Sequence, residues 1–187
     1  MDIHTAIQQR VSCPRLAAPG PDASQLDVLL NALVRAPDHG LLRPWRYLVV
    51  EGDDRARLGE MLAESGRVDQ PDITDAQCEK LRQGPLRAPM LLVVVAEVIS
   101  GHKVSVVDQI MACAAGVQNL LLTAHAMGIG AMWRTGAPAL SPTLKKRLGF
   151  RAEDEIVGFI YLGTPAAGPR PSCQDDPSLH RRWLPDA

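Results

Sequence analysis

The chain has 187 residues, 20 Lys and Arg against 21 Asp and Glu, a formal net charge of -1, and 46% hydrophobic but only 4% aromatic residues. That describes one domain, residues 1–187, long enough to bury a core without disulfides or a structural metal. The charge balance excludes the basic footprint of a nucleic-acid binder and a polybasic membrane anchor. In chain order, residues 2 to 10 predict a short helix with Ile3, Ala6 and Ile7 on one face; their polar neighbours do not make a secretory signal, so a cytoplasmic location is expected. A loop through Ala17 to Pro21 follows. Asp22 and Gln25 form a capping-box signature ahead of Leu26, Leu29, Leu30, Leu33 and Val34, a helix that Pro37 should stop. Tyr47 to Val50 predicts a buried strand, and residues 54–68 and 75–83 predict surface helices without chemistry of their own.

Met90 to Val98 predicts a strand covered on both faces. Its longest unbroken apolar run, Met90 to Ala96, falls far short of the roughly 20 residues that span a bilayer, so no membrane segment is expected. The longest helix should run from Val106 to Met127, capped by Ser105 and ended by Gly128. Its small-residue stretch Ala112 to Gly116 lets another backbone approach, either in the core of the chain or at a subunit seam. Ile129 to Trp133 and Ile156 to Leu162 predict further strands around a short helix near Pro142 to Leu148, and the proline-rich tail after Pro165 should be extended. The fold class is α+β, a central mixed or antiparallel sheet flanked by helices. Cys13, Cys78, Cys113 and Cys173 stand far apart, without a Cys-x-x-Cys or a nearby Cys/His pair, so free thiols and no metal are expected.

Three polar clusters stand at element ends, where loops deliver functional groups from a rigid scaffold. Arg10-Val11-Ser12 with Arg15 offers a guanidinium, a hydroxyl and backbone N–H groups, which suit a phosphate; helix-end neutralisation is the alternative. Arg35-Ala36-Pro37-Asp38-His39, followed by Arg43-Pro44-Trp45, is a proline-stiffened loop presenting a cation, a carboxylate and an imidazole. Trp133-Arg134-Thr135-Gly136 closes a strand with groups that could hold a polar ligand. No glycine-rich nucleotide fingerprint and no Gly-x-Ser-x-Gly elbow is present. His125, inside an apolar helix, reads as a hydrogen-bonded core or interface histidine.

In order and spacing these clusters resemble the FMN-dependent nitroreductase family, most closely its small YdjA-like branch. Ile7 to Arg15 is similar to the family's Arg-Arg-Ser-x-Arg opening. Arg35 to His39 with Pro44-Trp45 is similar to its Arg-Ala-Pro-Asp-His loop and Pro-Trp sequel. Gly130 to Gly136 is similar to Gly-x-x-Trp-Arg-Ser/Thr-Gly, and Ile156 to Pro165 to the closing strand. The resemblance implies an α+β homodimer with FMN at its interface, the long apolar helix at the seam and the C-terminal tail as an arm on the partner. It implies that Arg10, Val11 and Ser12 hold the phosphate and ribityl end, that Arg35 and His39 meet the flavin from across the interface, and that Trp133, Arg134 and Thr135 lie along it. It further implies ping-pong electron transfer from NADH or NADPH through FMN to a small-molecule acceptor such as a nitroaromatic or quinone, with no obligatory catalytic side chain. Dehalogenation or ring reduction within the family, or a noncatalytic flavin-binding dimer, stand as alternatives. Two departures are visible: Val11 replaces the family's second arginine, and Gly40-Leu41-Leu42-Arg43 is more apolar than the usual loop.

Overall fold

The computed structural model describes residues 1–166 and 175–182. Helix α1 (Ile3–Gln9) starts at Asp2, whose carboxylate accepts the Thr5 N–H at 3.1 Å. Leu16–Ala17 forms a short strand β1 where the sequence suggested only loop. Helix α2 (Ala23–Leu33) carries the reciprocal Asp22–Gln25 capping box that the spacing predicts. It ends before Pro37 is reached: Arg35 and Ala36 donate to the carbonyls three residues back, a tightening that closes the last turn.

Strands β2 (Trp45–Glu51) and β3 (Met90–Ala96) pair antiparallel, β3 pairs antiparallel with β5 (Glu155–Pro165), and β5 also takes β4 (Gly130–Arg134) and β1 antiparallel. Every pairing is antiparallel, so no parallel component is present among the described strands. β3 is buried throughout, as its apolar run requires. Met90, Leu92 and Val94 face a cluster built with α2 and the long helix α5 (Val106–Ala126), while Leu91, Val93 and Val95 face a second cluster on the other side.

Ser105 caps α5 by accepting the Asp108 N–H at 3.1 Å. The small-residue stretch of α5 serves the core: a Cβ on Gly116 would stand 2.6 Å from the Leu33 carbonyl oxygen of α2. By length and composition the helix could cross a bilayer, but here it packs against α2 and the sheet with Cys113, Val117 and Leu120 buried. Val107 and Met111 on its outer face are 60% and 53% exposed.

Helices α3 (Asp54–Asp69) and α4 (Asp75–Gln83) are more than surface helices. α3 buries Leu58, Leu62, Ala63 and Ser65, and Gly59 and Gly66 let α4 come so close that a Cβ at Gly59 would meet the Arg82 carbonyl oxygen at 2.2 Å. Their low hydrophobicity disguised this contact, which is made by absent side chains. Two short helices, α6 (Ala137–Leu140) and α7 (Pro142–Arg147), follow β4. Cys13, Cys78 and Cys113 are free thiols, while Cys173 lies outside the described residues, as does much of the tail; Pro177–Leu179 in it forms a 3-10 turn rather than extended chain.

The segment before β5 is fixed by Asp154, 2% exposed, which accepts the Val98 N–H at 3.0 Å, the Arg151 N–H at 2.9 Å and the Arg151 guanidinium at 2.7 Å. Burial alone would raise its pKa, but the Arg151 side chain and the two backbone donors together hold the carboxyl below its usual value. A carboxyl depressed in the folded state contributes stability above its unfolded pKa and loses it as pH falls through the folded value. Asp154→Asn should therefore cost stability at pH 7 and cost less at about pH 3, below the ordinary Asp value, where the unfolded chain already binds the proton. Urea unfolding at the two pH values measures this, and equal losses at both would refute it.

Candidate functional site

Arg10 is the C-cap of α1, and the chain beyond it runs beside β4, where the Cys13 N–H donates to the Ala131 carbonyl at 2.9 Å. This brings Arg10, Val11, Ser12 and Arg15 to a cavity of about 320 Å³, closed by His125 from the last turns of α5 and by Gly128 to Ala131. Neither the Arg10 nor the Arg15 guanidinium meets a carboxylate among the described residues. His125 is at this cavity with its Nε2 buried and unpartnered, not hydrogen-bonded as its position in an apolar helix suggested.

β4 divides the third cluster between two faces, because alternate residues of a strand point to opposite sides. The Trp133 side chain turns into the α5 cluster, where Nε1–H donates to the Val157 carbonyl at 3.1 Å and the indole occupies the space that a Cβ on Gly158 would need. Arg134 turns the other way and lies over the Tyr161 ring, 5.3 Å from guanidinium carbon to centroid, with its Nε buried and unpartnered. It lines a second cavity of about 620 Å³ with Thr135, reaching α3, α4 and the loop at Arg87. Burial pushes the Tyr161 phenol above its usual pKa, opposed by the Arg134 and Arg87 guanidinium groups beside it.

β4 runs from one cavity to the other, with Gly130 and Ala131 in the wall of the first and Arg134 in the wall of the second. From Gly130 to Arg134 the strand advances about 13 Å. Ala131 offers its carbonyl to Cys13 on the edge away from β5, so Trp133, two residues on, presents its own N–H and C=O to that same edge, where no described strand pairs. A cationic pocket at one end, a backbone donor and acceptor in the middle and a buried guanidinium at the other end suit a long ligand with an anionic terminus and a polar planar head. Two buried side-chain nitrogens, His125 Nε2 at the first cavity and Arg134 Nε at the second, have no hydrogen-bond partner.

Arg35 and His39 are not part of this constellation within one chain. Both are exposed, on a loop held by the Arg43 N–H donating to Asp38 Oδ2 at 2.7 Å and packed against Val104 just before α5. His125 stands in the last turn of α5, about 28 Å along the axis from the end that Val104 precedes, and about 14 Å from Gly116, where Leu33, two residues before Arg35, meets the helix. No group of His, Cys, Asp and Glu able to hold a metal occurs among the described residues. Burial pushes the Cys113 thiol up to about 12, which removes it as a nucleophile near neutral pH.

The Nitroreductase family model matches residues 7–164. The chain belongs to the nitroreductase family. It is 39% identical over 165 residues to a protein of Escherichia coli K12 that bears the name NAD(P)H nitroreductase YdjA, covering 88% of this chain and 89% of that one. A nitroreductase-like protein of Bacillus cereus superimposes with a TM-score of 0.82 at 21% identity, covering 98% and 96% of the two chains. A nitroreductase from Desulfovibrio desulfuricans, solved in complex with FMN, superimposes with a TM-score of 0.72 at 26% identity and 99% coverage of each.

Sequence reading of this nitroreductase missed Lys80, Arg87, Ser65 and Tyr161, which wall the larger cavity. They come from four separate elements, and only tertiary packing assembles them. Arg134, already singled out, was the one available signal, since a guanidinium at a buried strand end needs something to face.

Proposed function

We propose that the chain is an FMN-dependent oxidoreductase that takes electrons from NADH or NADPH and passes them to a nitroaromatic, quinone or related small molecule in a ping-pong cycle. The observation that carries this is the placement of Arg10 and Arg15, which meet no carboxylate among the described residues, at one end of β4 and of Arg134, with its Nε unpartnered, at the other. The FMN complex of the Desulfovibrio relative and the NAD(P)H in the Escherichia coli relative's name support it. Bound FMN supplies the hydride chemistry. Arg10 neutralises the phosphate and Ser12 hydrogen-bonds beside it, while Val11 contributes backbone only, leaving Arg15 as the second cation within the cavity. The backbone of Trp133 fixes the head group along the strand, and Arg134 and Thr135 provide donors at its far end. Retention of a flavin spectrum after FMN is added and excess removed, bleached anaerobically by NADH or NADPH, is the expected result; no retained flavin would defeat the reading.

The protein acts as a homodimer in this reading. Arg35 and His39 line neither cavity of their own chain, whereas a second copy docked on the exposed Val107 and Met111 face can supply them. FMN binding and dimerisation should then strengthen one another. Sedimentation at low protein concentration should show a tighter dimer with FMN than without; equal dissociation constants would place the flavin within a single chain.

A further inference from the structure

The larger cavity holds more cationic groups than a flavin head requires. Lys80 from α4 and Arg87 from the loop before β3 line it with Arg134, and neither meets a carboxylate among the described residues. Their neighbours behave differently: Arg57, Arg67 and Arg82 of the same two helices are each paired with an aspartate or glutamate. The one carboxylate in the cavity wall, Asp69, is occupied by the Ser141 and Thr143 hydroxyls. Leu62, Leu81, Phe159 and Tyr161 give the wall a broad apolar part, beside the neutral polar side chains of Gln70, Gln77 and Thr135. Ser65, only 1% exposed, adds a buried hydroxyl without a partner on the α3 side. Apolar walls with converging cations and an orphaned hydroxyl describe a site for a planar ring that carries a negative charge.

We propose that this cavity takes the electron acceptor and selects aromatic acids, with Lys80 and Arg87 binding the carboxylate. This deepens the flavin reading and rests on it for the word acceptor, but binding of an aryl carboxylate does not depend on it. The ring lies against Phe159 and Tyr161, with the nitro group at the end of the cavity formed by Arg134 and Thr135, the residues assigned to the flavin head. A nitro group reduced there takes a hydride from NADH or NADPH, relayed by the flavin, and a proton from solvent, and leaves as the nitroso compound and water.

The test uses benzoate, which is not reduced, and the exposed-residue variants Lys80→Met and Arg87→Met. Calorimetry on the FMN-loaded protein should show benzoate binding, with its Kd raised about fivefold or more in each variant. With NADPH as donor, the kcat/KM preference for 4-nitrobenzoate over the neutral 4-nitrobenzyl alcohol should fall toward one in both variants. Absent benzoate binding, or binding and preference unchanged in both variants, overturns the proposal. If the protein retains no FMN but binds benzoate through Lys80 and Arg87, the anion site stands and the flavin reading fails; the reverse outcome separates the two equally well.

Discussion

Replacing Arg10 with alanine should weaken FMN binding by about 1.5 to 3 kcal/mol, roughly 10- to 100-fold, the scale of a hydrogen bond to a charged group. The side chain stands at the C-cap of α1 with no internal carboxylate, so its removal leaves no buried charge behind and the fold should be little affected. Val11 sharpens the expectation, because no adjacent arginine is present to take over. Fluorescence titration of FMN into wild type and variant measures the loss, and Arg57→Ala, which removes an exposed ion pair on α3, serves as control. Unchanged affinity in the Arg10 variant would remove it from the phosphate site. A comparable loss in both variants would point to general loosening of the protein.

Gly59→Ala should be the more damaging change to stability, at about 3 kcal/mol, near the upper end of overpacking costs. The new methyl would stand 2.2 Å from a backbone oxygen, and neither partner is a flexible side-chain end that can swing aside. α4 must move by about 1 Å for the contact to become normal. Because α4 carries Lys80 and Leu81 into the larger cavity, the same displacement should weaken benzoate binding. A lowered urea midpoint with unchanged slope would establish the stability loss. Wild-type stability would mean that α3 and α4 do not pack as described.

Much of the framework is written locally. The Asp22–Gln25 box, the Ser105 cap, the apolar run of β3 and the break at Gly128 each act over a few residues, and each is found where the sequence places it. The three polar clusters are likewise found at element ends. What local pattern could not supply was which face each residue takes and what meets it there. Trp133 and Arg134 are neighbours in sequence yet serve opposite sides of the sheet, and the indole is committed to Val157. Gly59 matters through a carbonyl in another helix, and Ser65 through the absence of a partner. Such features depend on residues brought together from far along the chain.

β4 is short and has few hydrogen bonds to define its alignment, and a slip of one residue would exchange its two faces. Its registration is nonetheless keyed by two notches. Gly158 leaves room for the Trp133 indole, and Gly130 gives space to the Leu16 side chain beside the Gly163 carbonyl, where a Cβ would stand 2.5 Å from Leu16 Cδ2 and 3.1 Å from that oxygen. A misaligned strand would drive a guanidinium into the apolar cluster and the indole into an occupied space. Each misalignment is therefore rejected during folding by steric and electrostatic means at once, and bulky residues tolerated on the surface nearby should be refused at positions 130 and 158.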